Sequence, residues 1–197
     1  MLFFLLSDGS GGHELWRSDG TEAGTVRVKS IPVEADAPPP GGLTAAGGLL
    51  FFQAFDSANG YELWRSDGTE AGTGMVKDIV PGSSSSSFAL LTEVEGSLFL
   101  VADDGGGNKR WLWRSDGTEA GTAVVRTANP VAEGSKPTSL VDVGGTLFFM
   151  AADYAAGKEL WRSDGTAGGT RLVKDINEGG ASSMIMYPSC PVQTRYT

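Results

Sequence analysis

Histidine occurs once in the 197 residues, as His13, and cysteine once, as Cys190. A lone cysteine excludes an internal disulfide and leaves the redox compartment open. A lone histidine, placed in a loop, excludes a histidine cluster for metal binding or base catalysis. Basic residues are scarce: 15 Lys and Arg stand against 24 Asp and Glu, a formal charge of −9. That balance argues against nucleic acid, whose phosphates select basic surfaces, and against anionic membrane surfaces. No apolar run approaches the ~18–20 residues of a membrane-spanning helix. The opening MLFFLL lacks the basic start and cleavage site of a signal peptide. No phosphate-binding loop and no nucleophile elbow is present. The expectation is no catalytic residue, no metal and no cofactor. A carboxylate pair of the glycosidase kind is the one enzymatic arrangement that 24 acidic residues leave open.

What is abundant is repetition. ELWRSDGTEAGT occupies residues 14–25 and returns unchanged at 62–73. It recurs as WLWRSDGTEAGT at 111–122 and as ELWRSDGTAGGT at 159–170. A unit of about 48 residues is therefore written four times, the signature of a repeat architecture. The 29 glycines and 9 prolines punctuate short apolar runs rather than forming a linker.

Aligned on Trp16, Trp64, Trp113 and Trp161, the second unit shows apolar runs bounded by Gly, Ser, Asp and Pro, with no helical period. This predicts strands at 43–46, 49–54, 62–67 and 73–79. Gly47-Gly48, Glu95-Gly96 and Gly144-Gly145 each separate two strands, and such two-residue links read as tight hairpins. A polar stretch of about ten residues then crosses to the next unit. The prediction is an all-β chain of four-stranded antiparallel meanders repeated radially, a β-propeller or propeller segment. An open stack of sheets is the rival arrangement. The expected organisation is a single repeat domain over 1–197, with blades at 1–31, 43–79, 90–128 and 139–176 and a divergent tail at 177–197. Adjacent residues such as Leu63 and Trp64 then point to opposite faces, both covered, so the four Trp are expected to be buried in equivalent positions.

The LWRSDGT core followed by GT in all four copies resembles the ELWxxDGT repeat of bacterial proteins, some of which are called hyalin-repeat proteins. The likeness covers roughly residues 1–176. It implies a propeller-like fold and an exported or surface-associated location, and it implies no activity. Trp111 replaces the leading Glu in the third copy, and the tail SSMIMYPSCPVQTRYT lacks the strand pair that should follow.

Three features are candidate sites. The recurring carboxylates Asp19, Asp67, Asp116 and Asp164 could attract calcium, but each loop offers one constant Asp, and Glu22, Glu70 and Glu119 become Ala167 in the last copy. Calcium takes about six to eight oxygens, so these Asp, with the four Trp, are expected to be structural. The loops before the Trp strand vary in length and charge while the strands do not. Asp8, His13, Asp56, Asn59, Tyr61, Asp104, Asn108, Trp111, Asp153 and Tyr154 in and beside them are therefore the candidate binding residues. Arg17, Arg65, Arg114 and Arg162 are expected to pair with carboxylates and pack against a neighbouring sheet.

The functional expectation is a non-catalytic binding or adhesion scaffold for a glycan or protein ligand, without nucleic acid or membrane insertion. The alternatives are a structural array element of a larger repeat protein and a carbohydrate-active module. Blade one lacks a first strand. Either residues 184–187 return to pair with residues 2–6 and close a four-bladed ring, or the chain is a segment of a longer propeller. An open ring would leave surfaces for self-association.

Overall fold

The computed structural model describes residues 1–9, 12–31, 39–105, 110–125, 136–153, 155–180 and 182–183. Every regular element among them is a strand. Sheet I contains β1 (Leu2–Ser7), β2 (His13–Ser18) and β3 (Val26–Ile31). Sheet II contains β4 (Gly41–Ala46), β5 (Leu49–Asp56), β6 (Gly60–Ser66) and β7 (Gly74–Lys77). Sheet III contains β8 (Phe88–Val94), β9 (Ser97–Asp103), β10 (Arg110–Ser115) and β11 (Ala123–Val124). Sheet IV contains β12 (Thr138–Val143), β13 (Thr146–Asp153), β14 (Gly157–Ser163) and β15 (Arg171–Lys174). Each sheet is an antiparallel meander in chain order. β1 pairs with β2 as β5 pairs with β6, so sheet I begins at the second strand of the unit.

The strands of sheet II run 41–46, 49–56, 60–66 and 74–77 where the sequence reading has 43–46, 49–54, 62–67 and 73–79, and two of the shortened ends have a direct cause. Asp67 lies beyond β6, because its carboxylate is committed to the following turn. β7 stops at Lys77, because the amide of Ile79 leaves the ladder to bond the Glu62 carboxylate.

The tight links between first and second strands have positive φ at both residues: 57° and 80° at Gly47-Gly48, 46° and 79° at Glu95-Gly96, 59° and 82° at Gly144-Gly145. These are the dihedral signs of a type I′ turn, whose twist matches that of the strands. At Gly47 space matters as well, since a Cβ there would strike the carbonyl oxygen of Gly96 in the next sheet. The turns of successive sheets thus touch at one end of the molecule.

Within each Leu-Trp pair the two side chains point to opposite faces. The Leu face, here called forward, packs on the following sheet, and the Trp face, called backward, on the preceding one. Leu15, Val28 and Ile31 of sheet I thus meet Leu50, Phe52, Ala54 and Trp64 of sheet II. Phe51, Leu63, Val76 and Ile79 meet Leu98, Leu100, Ala102 and Trp113 of sheet III. Val94, Phe99, Leu112 and Val125 meet Leu147, Phe149, Ala151 and Trp161 of sheet IV.

Polar struts follow the same direction. Lys29 Nζ donates to the Thr73 carbonyl at 2.6 Å, and Lys77 Nζ to the Thr122 carbonyl at 3.1 Å. The Arg after Trp16, Trp64 and Trp113 lies over the SDG glycine of the next sheet. A Cβ added to Gly68 would lie 3.3 Å from Arg17 Nη1, and one on Gly117 would lie 3.5 Å from Arg65 Cδ.

Three of the four Trp are buried: Trp64 and Trp113 are 6% exposed and Trp161 2%. Trp16 departs from the expectation and is half-buried. It lies on the backward face of sheet I, against which no sheet is placed among the described residues. Among the described residues no strand of sheet IV pairs with one of sheet I. The expected closing segment, 184–187, lies outside the described residues.

Candidate functional site

The repeated turn uses its polar atoms internally. Thr21, Thr69, Thr118 and Thr166 each donate from backbone N and from Oγ1 to Oδ1 of the Asp two residues earlier, at 2.7–2.9 Å. The same Thr Oγ1 accepts the amide of Gly24, Gly72, Gly121 or Gly169. A Cβ at any of these four glycines would collide with the Asp carboxylate, so space dictates the glycine of the second GT. The final Thr of the motif bonds the Ser before the Asp at 2.7 Å in all four copies. Glu22, Glu70 and Glu119 lend the turn their carbonyls, and where Ala167 replaces them the Thr170 amide bonds the Thr166 carbonyl.

Hydrogen bonds from the Thr hydroxyl and then the Thr amide hold the carboxyls of Asp19, Asp67, Asp116 and Asp164 below their ordinary value. A carboxyl whose folded pKa is depressed contributes stability above its ordinary value and loses it as pH falls through the lowered one. Among the described residues no group of three or more His, Cys, Asp and Glu side chains is placed to hold a metal. Thermal melts in calcium and in chelator are expected to overlay. An upward shift of several degrees in calcium would show these loops to be metal sites, because a ligand of the folded state raises the melting temperature.

The leading Glu of the motif has a role that sequence reasoning missed. Glu62 is fully buried. Its Oε2 accepts the Ile79 amide at 3.1 Å and the Ser86 hydroxyl at 2.7 Å, and its Oε1 accepts the Ser86 amide at 3.1 Å. The carboxylate thus pins the segment that crosses to sheet III. Glu159 repeats the arrangement with the amides of Ile176 and Ser183. Ser85 and Ser182 match as well, their hydroxyls accepting the amides of Tyr61 and Lys158. The crossing after sheet IV therefore copies the one after sheet II as far as Ser183. The available signal was the equal offset of these serines from Glu62 and Glu159. Glu14 instead accepts from Trp16 Nε1 at 2.9 Å and pairs with Arg27 at 2.8 Å.

The variable loops join second to third strands, so they lie at the crossing end of each sheet, opposite the SDGT turns. Their carboxylates mostly close their own turns. Asp8 accepts the Gly12 amide. Asp56 accepts from the amides of Ala58 and Asn59 and from Asn59 Nδ2. Asp153 accepts from Ala155 and Ala156. In sheet III the equivalent bond, to the Gly105 amide, is made by Asp103; Asp104 beside it is exposed. Tyr61 packs edge-on against Phe55 at 5.2 Å. Trp111 leans on the core between sheets II and III, and His13 Nδ1 is buried with no partner among the described residues. Asn108 and Tyr154 lie outside the described residues. Among the described residues the loop between β5 and β6 gathers three candidates, Asp56, Asn59 and Tyr61, with Asn59 bonded to Asp56.

The same end holds a cleft of about 440 Å³ between the first strands of sheets III and IV. Leu90, Val101 and Pro137 give it apolar walls, and Arg110 and Lys136 bring two cations to it. Sequence reasoning passed over these residues because they belong to segments far apart in the chain. Leu90 also carries a positive φ of 59°, as does Ser139 at 58°, where sheet II has Gly42 at 70°. A non-glycine side chain in that region is strained.

Compared with models of known protein families the chain matches none, and no curated protein is similar to it.

Proposed function

We propose that the chain is a non-catalytic scaffold of propeller type, whose crossing end presents the binding surface. One observation carries this reading: the recurring Asp, Glu and Trp are largely consumed by turns, crossings and inter-sheet packing, whereas the exposed loops at the crossing end differ from copy to copy. A rigid frame with variable loops is the usual construction of a binding surface. The cleft with Arg110 and Lys136 favours an acidic ligand, an acidic glycan or an acidic protein segment. The resemblance to ELWxxDGT-repeat proteins supports placement outside the cell or at its surface.

Screening the purified chain on a glycan array, with and without calcium, tests this. The expected result is retention of acidic glycans, weakened by salt, unaffected by calcium and reduced in an Arg110→Ala, Lys136→Ala variant. Hydrolysis of a bound glycan would replace the reading with the carbohydrate-active alternative. Absence of binding to glycans and to acidic peptides would favour a structural array element.

A further inference from the structure

Each of the three inter-sheet junctions joins a forward face to a backward face of the same design. Among the described residues the terminal sheets carry one more of each with no sheet against it. On the backward side, Leu2, Phe4, Leu6 and Trp16 stand where sheet II has Leu50, Phe52, Ala54 and Trp64. Leu2 is 64% exposed and Leu6 45%, against 5% for Leu50 and 0% for Ala54. On the forward side, Val143, Phe148, Leu160, Val173 and Ile176 stand where sheet II has Ala46, Phe51, Leu63, Val76 and Ile79. Val173 is 45% exposed and Ile176 59%, against 7% for Val76 and 5% for Ile79.

The polar struts are left open in the same sense. Lys174 occupies the place of Lys29 and Lys77 but reaches no carbonyl among the described residues, while the Thr25 carbonyl stands where those of Thr73 and Thr122 receive a lysine. A Cβ on Gly20 would meet nothing within 4 Å, whereas Gly68, Gly117 and Gly165 each lie beneath the Arg of the preceding sheet. Apolar face, lysine strut and arginine stack thus have unmatched halves at opposite ends of one chain, and each half fits the other.

We propose that the forward face of sheet IV and the backward face of sheet I are the two halves of one self-association interface, joining copies of this chain head to tail. The occupant of each face is a second copy, because its opposite end supplies the Leu-Phe-Trp surface, the Thr25 carbonyl and the open Gly20 together. The contact is heterologous: it closes into a ring if the rotation per copy allows and otherwise propagates.

Sedimentation velocity over a range of concentrations tests this, with Leu2→Asp altering the backward face and Ile176→Asp the forward face. Both side chains are exposed in a single copy, so each variant should keep the wild-type near-ultraviolet circular dichroism. Leu6→Asp and Val173→Asp serve as a second pair if either fails to fold. The wild type is expected to sediment at a multiple of 20.5 kDa and each variant alone at the single mass. Mixing Leu2→Asp with Ile176→Asp should restore a one-to-one pair, since one partner keeps a forward face and the other a backward face. A wild type that stays at the single mass at every concentration overturns the proposal, including the case in which residues 184–197 cover a terminal face. Self-association retained by Leu2→Asp alone overturns it in favour of a symmetric forward-to-forward contact.

Discussion

Replacing Trp64 with alanine is expected to destabilise the fold by about 3–5 kcal/mol. The indole is 6% exposed, fills the junction between sheets I and II, and lies 6.3 Å from the ring of Phe52. Removing it opens a cavity that two sheets, each tied by its own ladder, cannot close by collapsing. Trp16 is the control, because it sits in the same ELWRSDGT sequence with no sheet behind it among the described residues. Trp16→Ala should cost much less, measured by urea denaturation at a concentration where the chain is a single copy. Its indole N–H is also held by Glu14, whereas those of Trp64, Trp113 and Trp161 are buried without partners. Equal losses at positions 16 and 64 would show that the cost arises within the strand pair and not from inter-sheet packing.

Glu62→Ala is expected to cost about 3 kcal/mol, since each buried polar group left unpaired costs ~1–3 kcal/mol. The substitution strips partners from the amides of Ile79 and Ser86 and from the Ser86 hydroxyl, although the last two also bond to the Tyr61 carbonyl. Hydrogen exchange at Ile79 and Ser86 should accelerate while β5 and β6 stay protected. The penalty has a definite dependence on pH. Burial raises the Glu62 carboxyl above its ordinary value, outweighing the hydrogen bonds from Ser86 and Ile79 that favour the ionised form. A folded pKa above the unfolded one means that the stabilisation is complete below the ordinary glutamate value and declines as pH rises through the raised one. The difference between wild type and variant should therefore be larger in mild acid than at neutral pH. A difference that grows with pH would mean that the amides, not burial, govern the site.

The third copy is a natural version of that experiment. Trp111 stands where Glu62 and Glu159 stand, and the crossing after sheet III lies outside the described residues. The indole turns instead to the core between sheets II and III. One substitution thus replaces a carboxylate with apolar packing, and β10 keeps its ladder with β9 through Ser115.

Strand placement and the tight links at 47–48, 95–96 and 144–145 were legible from residue order, because apolar runs bounded by turn residues and positive-φ glycines act over a few bonds. The structural character of the SDGT aspartates was legible for the same reason, since their partners are two residues away. The roles of Glu62, Arg110 and Lys136 were not, because their partners lie across a crossing or on another sheet.

What the sequence alone determined is the unit: four all-β meanders, each with one Leu face and one Trp face. What only the tertiary structure decided is the fate of identical residues in that unit. Trp16 and Trp64 share the two residues before them and the nine after, yet one is half-buried and the other enclosed. Glu14 and Glu62 open the same motif, yet one pairs with an arginine and the other holds a crossing. Local sequence directs a side chain to a face of its sheet, but burial depends on whether another sheet stands against that face, and that is a property of position in the array.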